Sequence, residues 1–142
     1  MAVYDIGAIR AAIKALLQTV DSLEKVYDFQ QSAIEGYPAA LFELDNEDAQ
    51  MLDDASNQRV LSFKIWVVTE IPNEGLEAAK NLLDNVTKDV INVLEKKTNL
   101  LLSGTADWTM PVIGSRSQTN SPEGNYLYQE LMLKVYVLST IL

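Results

Sequence analysis

The densest run of chemistry-bearing side chains in this sequence is acidic: Glu43, Asp45, Glu47, Asp48, Asp53 and Asp54. Carboxylates at alternate positions, closed by a glutamate at the twelfth, are what a calcium loop requires. Counted from Asp45, Glu47 fits that pattern, but Ala49 and Ser56 stand where oxygen ligands are needed. Two carboxylates held at a fixed separation could cleave a glycosidic bond, yet nothing in the spacing fixes any two of them. The chain contains no histidine and no cysteine, so imidazole acid–base chemistry, thiolate catalysis, disulfides and His/Cys zinc sites are excluded within it. Neither a phosphate-binding Gly-x-x-x-x-Gly-Lys loop nor a Gly-x-Gly-x-x-Gly turn occurs. Gly104 and Gly114 stand alone and suit turns. The Asn85-Val86-Thr87 sequon falls inside a predicted helix and is discounted. No residue is assigned to catalysis, to a cofactor or to a metal. The acidic run reads as a solvated or partner-docking loop, with Asp45, Glu47, Asp48, Asp53 and Asp54 as candidate interface residues. Trp66 joins them, because tryptophan is enriched at interface centres and its strand face already carries Ser62 and Lys64. Core packing is the competing reading for Trp66 and the simpler one for Trp108.

These residues must be positioned by a small set of elements. Asp5 is a good N-cap, and Ile6, Ile9, Ile13, Leu16, Leu17 and Val20 recur at helical spacing, which predicts a helix over 5–19. Val26-Tyr27-Asp28-Phe29 reads as a short extended stretch, and Gly36-Tyr37-Pro38 punctuates the chain before a strand over 39–44. The polar stretch 45–58 reads as a hairpin excursion. Val60–Thr69 is the clearest strand: Leu61, Phe63, Ile65 and Val67 share one face, and Val60, Ser62, Lys64, Trp66 and Val68 the other. That second face is also largely apolar, so something should cover part of it. Ile71-Pro72-Asn73 ends the strand. A long helix is predicted over 76–97, with Ala79, Leu82, Leu83, Val86, Val90, Val93 and Leu94 as its buried stripe and Lys96 and Lys97 at its negative end. A strand over 108–115 is confined by Pro111 to an edge or a bulge. A polar loop over 117–125 and a closing strand over 128–140 complete the chain. The expected fold is α+β: a mainly antiparallel sheet of four to five strands with two helices packed on it.

At 142 residues, with 48% hydrophobic and 22% charged side chains, the chain fits one domain with a real core. No apolar stretch approaches the roughly 18–20 residues of a membrane helix, and Met1-Ala2-Val3-Tyr4-Asp5 lacks the basic and apolar regions of a secretory signal. A cytosol is the expected place of synthesis. A net charge of −9 repels phosphate backbones and anionic membranes. It suits a wall that DNA passes without adhering.

Three segments together resemble the tail terminator (tail completion) proteins of long-tailed bacteriophages. The first is Lys25-Val26-Tyr27-Asp28-Phe29 followed by Gly36-Tyr37-Pro38-Ala39-Ala40. The second is the strand Phe63-Lys64-Ile65-Trp66-Val67-Val68 leading into one long helix. The third is the terminal strand Glu130-Leu131-Met132-Leu133-Lys134-Val135-Tyr136-Val137. The resemblance spans nearly the whole chain, 1–142, as a single domain, and carries no catalytic signature. It implies a homo-oligomeric ring, typically a hexamer, assembled in the host cytoplasm. Such a ring caps the finished tail tube, contacts the tube protein and a head-side connector, and lets DNA pass without tight binding. No membrane and no cofactor are implied. Two other readings stand beside it: a small-molecule-binding or enzymatic α+β domain, and a head-side neck or connector protein.

Overall fold

The computed structural model describes residues 4–28, 34–51, 56–72, 75–110, 117–120 and 125–140. Helix α1 spans Ile6–Leu17, strand β1 Lys25–Tyr27, β2 Ala39–Met51, β3 Ser56–Glu70, α2 Leu76–Glu95, β4 Trp108–Met110, β5 Ser117–Asn120 and β6 Tyr126–Thr140. Two single 3-10 turns, Lys97–Asn99 and Leu102–Gly104, lie between α2 and β4. The α+β class and the dominant antiparallel pairing match the sequence expectation. The described helices are the two expected α-helices plus short 3-10 turns, and β5 makes a sixth strand beside the four to five expected. The strands form one sheet in the order β1-β2-β3-β6-β4, with β5 also paired to β6. Among the described strands only β1 runs parallel to its neighbour; it aligns Lys25–Tyr27 with Ala39–Leu41.

Helix α1 begins where Asp5, in an extended conformation, accepts the Ala8 N–H at 3.1 Å. That bond satisfies one of the donors a helix start leaves open. Its Ile9, Ile13 and Leu17 recur one turn apart and are fully buried. Helix α2 has a backbone-only start at Gly75, whose φ of 100° favours glycine. Ala79, Leu83, Val86, Val90 and Leu94 line its buried stripe, while Leu82 is exposed and Val93 only partly covered. Beyond its end the Asn99 side-chain amide donates to the Val93 carbonyl at 2.8 Å, satisfying one of the carbonyls of the last turn.

Both helices lie on one face of the sheet. Their buried residues join Ala40, Phe42, Leu61, Phe63, Ile65, Val67, Leu127, Leu131, Leu133, Val135 and Val137 in a single core. The registers explain this: Phe42 pairs with Ile65, and Ile65 with Leu131, so the three side chains project together. We call this the inner face. Pairs such as Leu41–Trp66, Trp66–Glu130 and Val68–Tyr128 point to the outer face.

Two local expectations change, and a third is seen in part. The stretch 45–58 is not a loose excursion: β2 runs on to Met51 and β3 starts at Ser56, so most of it is ladder. The polar stretch read as a loop over 117–125 contains strand β5, because the long β6 offers Leu127–Glu130 as a template along its free side. Composition hid this, since Ser117-Gln118-Thr119-Asn120 has no apolar residue to announce a strand. Of the strand expected over 108–115, Trp108–Met110 is present; residues 111–115 lie outside the described residues, as do Phe29 and Gly114.

Candidate interaction surface

A bulge at Asp45 decides where the acidic run goes. Leu44 pairs with Phe63 and Asn46 with Ser62, so Asp45 is one residue too many for the ladder. Strict alternation would put Asp45 and Glu47 on one face. Instead the extra residue sends Glu47, opposite Leu61, to the inner face. Asp48, opposite Val60, goes to the outer face, where Asn46 Nδ2 donates to its carboxylate at 3.1 Å. The sequence-derived cluster is therefore split between two surfaces. Asp53 and Asp54 lie outside the described residues.

On the inner face Glu47 meets two residues that the acidic pattern did not suggest. The Tyr4 hydroxyl donates to Glu47 Oε1. The Arg59 guanidinium approaches the same oxygen at 3.5 Å and stands 4.6 Å over the Tyr4 ring. A cation over an aromatic face and beside a carboxylate is held from two directions. Burial, followed by the bond to Glu47, pushes the Tyr4 phenol above its ordinary pKa. This clasp ties the residue before the α1 cap to the far part of the β2–β3 hairpin. Two signals for it were visible in the sequence: an aromatic beside the cap, and Arg59 as the one cation within residues 43–59.

The outer face is built differently. Lys64 bridges Glu130 at 3.3 Å and Asp45 at 3.6 Å, and these carboxylates hold its ammonium above the usual lysine range, the Glu130 hydrogen bond contributing most. Trp66 sits on this face, half-buried, among Leu41, Lys64, Val68 and Glu130. Further along, Tyr37 and Tyr126 stack with ring centres 5.4 Å apart. Burial, with their mutual hydrogen bond next, pushes the Tyr37 phenol up to about 12. At the other end Trp108 stacks on Tyr136 at 4.7 Å while 40% exposed. Trp66 therefore lies on a face that none of the described helices covers. It comes near Asp45 through Lys64, away from Glu47 and at a distance along the strand from Asp48.

Among the described residues no group of three or more His, Cys, Asp or Glu side chains gathers as metal ligands would. One recess of about 420 Å³ opens between α1 and β1, lined in part by Lys14, Gln18, Glu24, Lys25, Tyr27 and Glu35. Its polar groups are of mixed sign, and Glu24, Lys25 and Glu35 are exposed. It lacks the apolar enclosure with a few convergent polar groups that marks a small-molecule site. No helix among the described residues is long and apolar enough to cross a membrane.

No protein-family model and no curated protein matches this chain. The fold does have similar solved structures. One is a chain of the structure described as "Virion of native gene transfer agent (GTA) particle". It superposes with a TM-score of 0.56 at 17% identity, covering 94% of this chain and 97% of that one. At that identity the likeness establishes a shared fold, and it extends over nearly the full length of both chains.

Proposed function

We propose that this chain is a structural, non-enzymatic component of a phage-like particle, forming a ring that caps the tail tube and joins it to the head. The observation that carries this reading is the near full-length fold likeness to a chain from a gene transfer agent virion. It supports a phage-like structural role; the narrower tail-terminator reading comes from the resemblance drawn from the sequence. Two features of the chain support an assembling role. The outer sheet face presents Trp66, Tyr128, Met132, Tyr136 and Trp108 with no helix of the described residues over it, and a subunit interface is the usual cover for such a surface. The hairpin from Asp45 to Met51 extends as an exposed acidic arm, suited to a tube-side or channel-side contact. In this reading the tube protein and a head-side connector are the partners. The net charge of −9 keeps DNA moving through the channel without adhesion.

The test is the native mass in solution, with negative-stain images of the same sample, followed by capping of tail tubes that lack a terminator. Closed rings that bind tube ends are the expected result. Rings that bind portal complexes in place of tubes would move the protein to the head side of the joint. A monomer that caps nothing would overturn the reading. Within the same assay, charge reversal at Asp53 and Asp54 should weaken capping; unchanged capping removes those two residues from the interface.

A further inference from the structure

Among the described residues the sheet has two open edges, and their geometry is complementary. Strand β1 covers β2, among the described residues, only along Ala39–Leu41. From Phe42 to Met51 no other described residue pairs with the side of β2 away from β3. At the opposite edge β4 pairs with β6 alone among the described residues. Both edges sit at the same height in the sheet: Asp48 pairs with Val60, Val60 with Tyr136, and Tyr136 with Trp108. Each edge also carries an exposed apolar side chain, Met51 at 67% and Trp108 at 40%. Unpaired backbone donors and acceptors at such an edge are a template for another strand.

We infer that the β2 edge, Phe42–Met51, receives the β4 edge, Trp108–Met110, of a second copy of this chain, so that the sheet continues from subunit to subunit. The inference rests on the ring reading above and names the contact that would close it. Strand direction permits it. Successive antiparallel pairings make β2 and β4 run in opposite senses. A neighbour rotated about an axis along the strands therefore brings its β4 antiparallel to β2. This contact joins two different surfaces, the kind that propagates around a ring and leaves no free edge. Charge selects it over the two-fold alternative. Pairing two β2 edges would set Glu43, Asp45, Glu47 and Asp48 against their own copies, which like charges oppose. Trp108, Thr109 and Met110 carry no charge. Trp108, stacked on Tyr136 at the open edge, is the aromatic anchor of the contact.

The experiment places a photo-crosslinking residue, Gln50→p-benzoylphenylalanine, on the exposed outer side of β2. The variant is mixed with isotope-labelled unmodified chain, irradiated, and mapped by mass spectrometry, so that only intermolecular adducts are scored. The expected adducts fall on the peptide containing Trp108. Adducts on residues 39–51 of the second copy, adducts confined to its helices, or no intermolecular adduct each overturn the proposal. Native mass on the same sample separates this outcome from the ring reading. Closed rings without Trp108 adducts leave the ring and remove the edge contact; Trp108 adducts in open chains do the reverse. Trp108→Ala should weaken assembly about tenfold or more, while Trp108→Phe retains most of it. A thermal melt of each monomer checks that the fold is intact.

Discussion

The two halves of the β2–β3 hairpin follow different rules. In the half nearer the helices, Ala40, Phe42, Phe63, Ile65 and Val67 are fully buried, and Leu41 and Val68 nearly so on the opposite face. In the far half, Asp45–Met51 is almost all exposed and Ser56–Val60 only partly covered. What holds the far half is polar: the ladder itself, the Tyr4–Glu47–Arg59 clasp and the Lys64 bridges. Burial of apolar area scales stability in the first half. The second half contributes little of it, and no other described residue pairs with its outer backbone edge. Under the edge contact proposed above, stability and assembly fall to different lengths of the same two strands.

The contrast makes graded predictions. Phe63→Ala empties a fully buried site against Phe42 and should cost about 3–5 kcal/mol in urea unfolding; a loss under ~1 kcal/mol would mean the near half does not carry the fold. Arg59→Ala removes a partly exposed cation from Glu47 and Tyr4, and about 1 kcal/mol is expected after allowing for solvent screening. Its clearer signature is earlier protease cleavage within 45–58 with little change in Tm. The Tyr37 phenol adds a pH test. It is held neutral in the fold up to about 12 against an ordinary 10.0. Its contribution is complete below pH 10, and is lost as the pH rises through 12. Tyr37→Phe should flatten that alkaline decline, measured as Tm across the interval. Smallest is Asp48→Lys, within about 0.5 kcal/mol by denaturation because the side chain is exposed, yet expected to change ring formation. Altered stability with unchanged assembly would erase the division between the halves.

Much of the architecture was legible because periodicity reports burial. The helix repeats in 5–19 and 76–97 and the alternation in 60–69 each became an element with most of the expected buried residues, Leu82 standing exposed and Ile6, Leu16 and Val93 only partly covered. The interface candidates were legible by type and less so by position. An acidic run says that a segment is solvated, but a one-residue bulge at Asp45 decides which carboxylate faces where, and bulges leave no periodic trace. β5 escaped because its partner strand, rather than its own side chains, makes it a strand. The open edge of β2 escaped for a related reason: it is a property of strand order, which no local pattern encodes.

The chain has two tryptophans, Trp66 and Trp108, and both project from the outer face of the sheet. The described core on the other side is packed without indole. Intrinsic emission is consequently blind to much of the interior and tuned to the surface where neighbours would sit. A blue shift and loss of acrylamide quenching on raising the protein concentration, at constant far-UV dichroism, would follow subunits joining in real time without any added label.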